Sequence, residues 1–247
     1  MHCLGVIPAR YHSQRFPAKP LALINDKPMI QWVYERAIRA ELLDRVVVAT
    51  DHEQILTVVQ EFGGEGMMTS ELHESGTDRI AEVATQIPAD FVVNIQGDEP
   101  LIEPAVIDQA LRPLMDEPHI DMGTLATTMD PETADNPNIV KVVFNEQGRA
   151  LYFSRSKIPY FRHNTSEQKQ FPYWQHIGLY VYRGQFLTQF TNYPVSPLEK
   201  IEQLEQLRAL EHGAYIHVEI TDYPSISVDT PDDLARVRQT LQTTGQV

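Results

Sequence analysis

The chain has 247 residues, 42% of them hydrophobic, enough to bury a real core in one α/β domain with an elaboration. Its formal charge of −14 excludes the extended basic face that nucleic acid or an anionic membrane needs, but allows a small polyanion met by a local cation cluster. A single cysteine, Cys3, excludes a disulfide framework and a multi-cysteine zinc site and points to a reducing compartment. The apolar run before Arg10 is too short for a secretion signal, and none approaches the ~18 residues of a membrane span, so the expected location is cytoplasmic.

Residues 4–7 form an apolar run that predicts a buried strand, stopped by Pro8 because proline gives no donor to a sheet ladder. The stretch that follows carries Arg10, Arg15 and Lys19 and no acid. No Asp or Glu precedes Asp26, whereas composition would put about three in those positions. An acidic chain that clears its opening loop of acids and keeps three cations there is built to hold an anion. The spacing matches neither Gly-x4-Gly-Lys-Ser/Thr nor Gly-x-Gly-x-x-Gly.

Pro28 opens a helix whose Met29, Trp32, Val33, Ala37 and Ala40 recur at helical spacing. Residues 45–50 predict a second buried strand, Asp51 a cap for the next helix, and Gly63-Gly64 its end. A strand over 65–69, a helix over 78–86 and a central strand over 91–96 follow, the last ending at Gly97-Asp98-Glu99-Pro100. Pro104 starts a helix with Val106, Ile107, Ala110, Leu111 and Leu114 as its buried stripe. Strands and helices alternating at this pitch predict βαβ units and a mostly parallel sheet with helices on its faces.

The rhythm changes near residue 120. Residues 139–144 and 150–153 predict a hairpin through Asn145-Glu146-Gln147-Gly148, residues 160–174 a mobile loop, and residues 176–182 a strand. Ser196-Pro197 starts a helix with Leu198, Ile201, Leu204, Leu207 and Leu210 facing inward, ended by Gly213. A strand over 215–220 and a short strand-like run over 226–228 precede Thr230-Pro231-Asp232-Asp233, the capped start of a C-terminal helix. These elements describe one domain, 1–247, with an elaboration at about 121–195.

Ligands of open α/β sheets sit beyond the carboxyl ends of the strands. Two such ends carry signals: the loop from Arg10 to Lys19, and Gln96-Gly97-Asp98-Glu99-Pro100, where Asp98 is either a metal ligand or a turn-forming aspartate. Asp229 is a further candidate, with a role in helix capping as its alternative. One basic loop plus two carboxylates is what a Mg²⁺-nucleotide requires, since Mg²⁺ binds through one or two carboxylates and phosphate oxygens. The convergence of Asp98 with Asp229 is an expectation for the fold to meet.

The ordered motifs resemble a known family. They are Ile7-Pro8-Ala9-Arg10, Ser13, Arg15, Pro17, Lys19-Pro20-Leu21, Val48-Ala49-Thr50-Asp51, Ser75-Gly76-Thr77-Asp78-Arg79 and Asn94-Ile95-Gln96-Gly97-Asp98-Glu99-Pro100. Further on come Ala150-Leu151-Tyr152-Phe153-Ser154-Arg155, His176-Ile177-Gly178-Leu179-Tyr180, Leu204-Glu205-Gln206-Leu207-Arg208 and Val228-Asp229-Thr230-Pro231. Together they resemble the CMP-Kdo synthetases, the 3-deoxy-manno-octulosonate cytidylyltransferases, over residues 4–241. The opening loop alone is shared with other sugar nucleotidyltransferases.

The resemblance implies a Rossmann-like sheet of nucleotidyltransferase type with a smaller antiparallel elaboration for dimerisation and sugar binding. It implies CTP and a 2-keto-3-deoxy sugar acid as partners, Mg²⁺ as cofactor, and a homodimer. Arg10 and Lys19 would hold the triphosphate with Ser13 and Arg15 close by, and Ser75, Gly76 and Arg79 would line the cytidine pocket. Asp98 and Asp229 would be the Mg²⁺ ligands, and Gln96, Arg155, His176, Tyr180, Glu205 and Gln206 would surround the sugar.

Arg155 offers a bidentate guanidinium to the sugar carboxylate. Glu205, four residues after Ile201 on the partly apolar face, needs a polar partner that sugar hydroxyls can supply. Three departures stand out, one of them a short loop before His176. Ala18 replaces the glycine usual before the lysine, at ~1 kcal/mol if that position needs φ > 0. Ser225-Ile226-Ser227 replaces a Pro/Gly-containing turn before Val228-Asp229. The alternatives are the same transfer to 8-amino-Kdo or a sialic acid, and a non-catalytic nucleotide-binding protein.

Overall fold

A computed structural model describes residues 1–12, 16–73, 75–162 and 171–244. In chain order the elements are β1 (Cys3–Ala9), a 3-10 turn (Lys19–Leu21), β2 (Leu23–Ile24), β3 (Lys27–Pro28), α1 (Met29–Ala37), β4 (Arg45–Thr50), α2 (Glu53–Glu61), β5 (Gly66–Met68), α3 (Gly76–Gln86), β6 (Phe91–Asn94) and α4 (Pro104–Asp116). They continue with β7 (Met122–Met129), β8 (Lys141–Phe144), β9 (Ala150–Ser154), β10 (Tyr173–Arg183), α5 (Gly184–Phe190), α6 (Pro197–Glu202), α7 (Gln206–Glu211), β11 (Ile216–Ile220) and α8 (Pro231–Thr244). The chain divides into two compact units, Met1–Asp108 with Ser225–Val247, and Gln109–Pro224, the second containing the elaboration expected at 121–195.

In the first unit four strands pair in parallel in the order β6-β1-β4-β5, with α1, α2 and α3 packed on them. The apolar runs read from the sequence are buried on both faces, as Leu4, Val6, Ile7, Val47, Val48, Val92 and Val93 all lie at zero exposure. β1 does not stop at Pro8: it runs on to Ala9, with Pro8 opposite Ala49 of β4. Val6 accepts from Ile95 N at 2.9 Å, so alternate residues of β1 face β6, and the missing donor of Pro8 falls on the side where β6 has ended. Burial, then the charge of Asp44, push the Cys3 thiol up to about 11, which leaves it a packing residue.

Three local expectations are corrected in this unit. The cap of α2 is His52, whose Nδ1 accepts from Gln54 N at 3.2 Å, while Asp51 is drawn to other partners. α3 begins at Gly76 behind a capping box of Ser75 and Asp78, two residues earlier than the start expected at Asp78. Residues 226–228 form no strand; the run is tied to the first unit by Val228 N on Asp98 O at 2.9 Å. Val228 is anchored in a core of Ile24, Met29, Leu234, Val237 and Leu241, which fixes the entry to α8.

The second unit is built on β7, which pairs antiparallel with β10 and parallel with β11, while β8 and β9 form the expected hairpin. β7 and α5 have no counterpart among the elements expected from the sequence. The single helix expected from Ser196 to Gly213 is two short helices, α6 and α7, broken at Gln203, which adopts φ 54 and ψ 48. Ile201 consequently points outward at 77% exposure rather than into the core. Of the loop expected over 160–174, residues 163–170 lie outside the described residues, and Tyr173 and Trp174 already belong to β10.

Candidate active site

The opening loop closes on itself through Ala18 N to Tyr11 O at 2.9 Å, and Ala18 takes up φ 53 and ψ 28, the left-handed one of the two conformations open to it where it replaces a glycine. This turn delivers Lys19. Its Nζ donates to Asp98 Oδ2 at 2.6 Å and to Asp229 Oδ1 at 3.3 Å, so carboxylates remote in sequence meet on one cation. Their backbones are tied independently of the lysine by the Val228 N to Asp98 O bond. Gly97 makes this possible, since a Cβ there would lie 2.8 Å from Pro8 O, backbone that cannot move aside.

Pro8, Arg10, His12, Lys19, Gln96 and Asp98 are among the residues lining a cavity of about 240 Å³ at this sheet edge. Among the described residues, Arg10 Nη2 is buried with no hydrogen-bond partner. An orphaned guanidinium nitrogen in a cationic cradle is a donor set waiting for an anion. Gly76, at the start of α3, faces the same strand end: the nearest atoms to a Cβ there belong to the Pro8 ring, at 3.6 Å. Ser75 serves as the cap of α3, its hydroxyl accepting from Asp78 N at 3.0 Å. Ser13 and Arg15 lie outside the described residues.

Arg79 does not open onto the cavity. It is fully buried, donating to Thr69 Oγ1 and, at 2.8 Å, to Asp51 Oδ2. Burial lowers its pKa against the opposing charge of Asp51, and Arg10 nearby lowers it further. Asp51 also accepts from Tyr11 N at 3.4 Å, so the carboxylate expected as a helix cap braces the phosphate-side loop instead. Tyr11 stacks on His52 with ring centroids 3.8 Å apart. Neither contact was visible in the sequence, where Asp51 appeared as a helix cap and as the last residue of the Val48–Asp51 motif.

The remaining sugar-side residues, Gln96 apart, belong to the second unit. Arg155 spends three of its five N–H groups on carbonyls: Nε on Glu202 O at 2.7 Å, Nη1 on Pro137 O at 3.1 Å and Nη2 on Gln203 O at 3.3 Å. It thereby caps the end of α6, where the chain breaks. His176 Nε2 lies 3.0 Å from Thr124 Oγ1, whose one proton goes to the carbonyl of Leu179 or Ile177 at 2.9 and 3.0 Å. The histidine must then be the donor, which leaves its Nδ1 as an acceptor.

Burial pushes the His176 pKa down to about 3, so the ring is neutral. Tyr180, with its ring 5.3 Å from that of His176, has its pKa raised by burial and then by the charge of Glu205. Glu205 flanks the start of α7 and lies 3.6 Å from Arg208; Gln206 beside it is buried. The position of Glu205 thus comes from the break at Gln203, not from helical phase with Ile201. Lys141, unremarked in the sequence, is fully buried with its ammonium on the carbonyls of Asn136, Ile139 and Arg155.

Among the described residues no three His, Cys, Asp or Glu side chains converge as a metal site, and no helix is long and apolar enough to cross a membrane. Residues 4–220 match the family model described as cytidylyltransferase. The chain is 51% identical over 247 residues to the 3-deoxy-manno-octulosonate cytidylyltransferase of Pelobacter propionicus, covering 97% of each chain. It is 50% identical over 250 residues to that of Geobacter sulfurreducens, covering 98% of this chain and 100% of the relative.

A solved structure of CMP:2-keto-3-deoxy-manno-octonic acid synthetase complexed with CTP superposes with a TM-score of 0.94 at 42% identity, covering 99% of this chain and 100% of the other. A cytidylyltransferase from Leptospira borgpetersenii shares the fold, with a TM-score of 0.67 at 15% identity, covering 98% of this chain and 87% of the other. With its motifs in order along nearly the whole length and two carboxylates remote in sequence meeting at a cationic loop, the chain belongs to the cytidylyltransferases, in the 3-deoxy-manno-octulosonate family.

Proposed function

We propose that the protein activates 3-deoxy-D-manno-octulosonate (Kdo) with CTP, releasing pyrophosphate and giving the CMP-Kdo used in lipopolysaccharide synthesis. The observation that carries this is the meeting of Asp98 and Asp229 on Lys19 beside the cavity that contains Arg10. The anomeric 2-hydroxyl attacks the α-phosphorus in line, its proton passes to solvent, and the bond to the β-phosphate oxygen breaks. Arg10 and Lys19 neutralise the charge that develops on the departing pyrophosphate. No protein base is needed if the hydroxyl is acidified on binding.

Asp98 and Asp229 would hold Mg²⁺, and their fit is that of hard oxygen donors already gathered around one positive charge. When bound, that ion supplies charge neutralisation at the phosphoryl oxygens and lowers the pKa of a coordinated hydroxyl. By the family resemblance Ser75 and Gly76 would line the cytidine pocket and Ser13 and Arg15 would lie close to the triphosphate; Arg79 would act through its bond to Asp51. Around the sugar we place Gln96, Arg155, His176, Tyr180, Glu205 and Gln206. Neutral His176 accepts a hydroxyl at Nδ1, and Arg155 has N–H groups left over from its three carbonyls for the sugar carboxylate.

The working form in this reading is a cytoplasmic homodimer; Leu151 of the hairpin at 60% exposure supplies apolar surface for a partner copy. The test is pyrophosphate release from CTP with and without Mg²⁺ over a panel of Kdo, 8-amino-Kdo, a sialic acid and a sugar 1-phosphate. Kdo is expected to give the highest kcat/KM. A preference for another acceptor would reassign the substrate, and CTP binding without turnover on any of them would make the protein a nucleotide binder.

A further inference from the structure

Lys19 is shared between a pair of carboxylates and a cavity. Its ammonium has three N–H donors, and two of them are spent on Asp98 and Asp229. The same residue lines the cavity with Arg10, where a phosphate would need it. The carboxylates do not depend on the lysine for their positions: Gly97 packs Asp98's loop against Pro8, and Val228, fully buried, ties Asp229's approach to Asp98 O. The movable part is therefore the flexible four-carbon stem of Lys19. Two neighbouring carboxylates repel, and a divalent cation brings them twice the charge of the one ammonium that bonds to both.

We propose that Lys19 is the resident counter-ion of the Asp98–Asp229 pair in the ligand-free chain and is displaced when the divalent cation binds, so that metal loading and release of Lys19 towards phosphate are one exchange. The inference rests on the reading of those two residues as metal ligands. Its consequence is quantitative. If the carboxylates are free of the lysine only about a tenth of the time, the apparent metal affinity of the empty chain falls about tenfold below its intrinsic value. Removing the lysine's charge then improves metal binding while harming phosphate binding, opposite signs that a merely structural lysine would not give.

The experiment titrates Mn²⁺ into the nucleotide-free full chain, following the signal of free Mn²⁺ by electron paramagnetic resonance. Lys19→Gln is expected to bind Mn²⁺ about tenfold tighter than wild type, and Lys19→Arg, which keeps the charge, to stay within about threefold of wild type. Adding Asp98→Asn to Lys19→Gln is expected to abolish the gain. Circular dichroism checks folding, with Lys19→Met as the second variant if Lys19→Gln does not fold. Equal or weaker binding in Lys19→Gln, with Asp98→Asn abolishing binding in both backgrounds, overturns the exchange and keeps the metal-ligand reading. Binding that ignores Asp98→Asn, or no binding by any variant, overturns both.

Discussion

Lys19 concentrates the chemistry in one ammonium, and its neighbours make its contribution measurable. If it stabilises charge on the leaving pyrophosphate, Lys19→Ala is expected to lower kcat by ~10²–10³, the scale for losing one preorganised donor to developing charge. A fall of less than threefold in steady-state turnover would remove it from the reaction. The residue before it tests backbone strain. Ala18 sits at φ 53, where a Cβ costs ~1–2 kcal/mol, while glycine would give back ~0.4–1 kcal/mol in the unfolded chain.

Ala18→Gly is therefore expected to stabilise by about 1 kcal/mol or less in urea melts; a loss would show that the methyl packs usefully. This strain was legible, because a family position that demands glycine reveals itself when another residue stands there. The partners of Arg79 and Arg155 were not legible. Spacing fixes where a guanidinium leaves the chain, but not whether an acid 28 residues away, as Asp51 is from Arg79, reaches it first.

At the level of elements, strands made of apolar runs buried on both faces announced themselves, and β7, with a glycine at its start, did not. β1, β4 and β6 read as unbroken β-branched or apolar runs. β7 escaped because Gly123 lies where a Cβ would meet Leu114 Cδ1 at 2.6 Å and Ala110 O at 3.1 Å; the residue chosen for contact with α4 carries no hydrophobic signal. The break between α6 and α7 was hidden for a similar reason, since it is made by a glutamine in left-handed conformation.

The start of α8 was legible and carries an expectation of its own. The Asp233 carboxylate accepts from Asp229 N at 3.1 Å and Thr230 N at 2.8 Å, so the capping box also holds the backbone that presents Asp229. Burial opposes ionisation of Asp233, but these bonds and those from Thr230 Oγ1 and Arg236 outweigh it and lower its pKa below 3.8. A lowered folded pKa means that the stabilisation is present above 3.8 and is lost as the pH falls below it. The gap in unfolding free energy between wild type and Asp233→Asn, from urea midpoints, is thus expected to shrink from pH 5 to pH 3. A constant gap would mean that the carboxylate's charge does not support the cap.

Across the whole molecule the cationic loop, both carboxylates and the start of α3 lie in the unit formed by Met1–Asp108 and Ser225–Val247, while Arg155, His176, Tyr180, Glu205 and Gln206 lie in Gln109–Pro224. A nucleotide gripped by the first unit stabilises whichever unfolding step that unit undergoes, by RT ln(1 + [L]/Kd). At a hundred times its Kd, CTP contributes about 2.7 kcal/mol, which for a chain of this size is a rise of roughly 5–10 °C in Tm. The orphaned Nη2 of Arg10 says which part of the ligand matters. Inorganic pyrophosphate should reproduce part of the shift and cytidine little of it, since a buried guanidinium nitrogen gains most from an anionic oxygen. Scanning calorimetry of wild type and Arg10→Ala with each ligand separates the contributions: the variant is expected to lose most of the CTP and pyrophosphate shifts and to keep whatever cytidine gives. Equal shifts in the two proteins would place the phosphates away from Arg10, and with them the charge that Lys19 is proposed to meet.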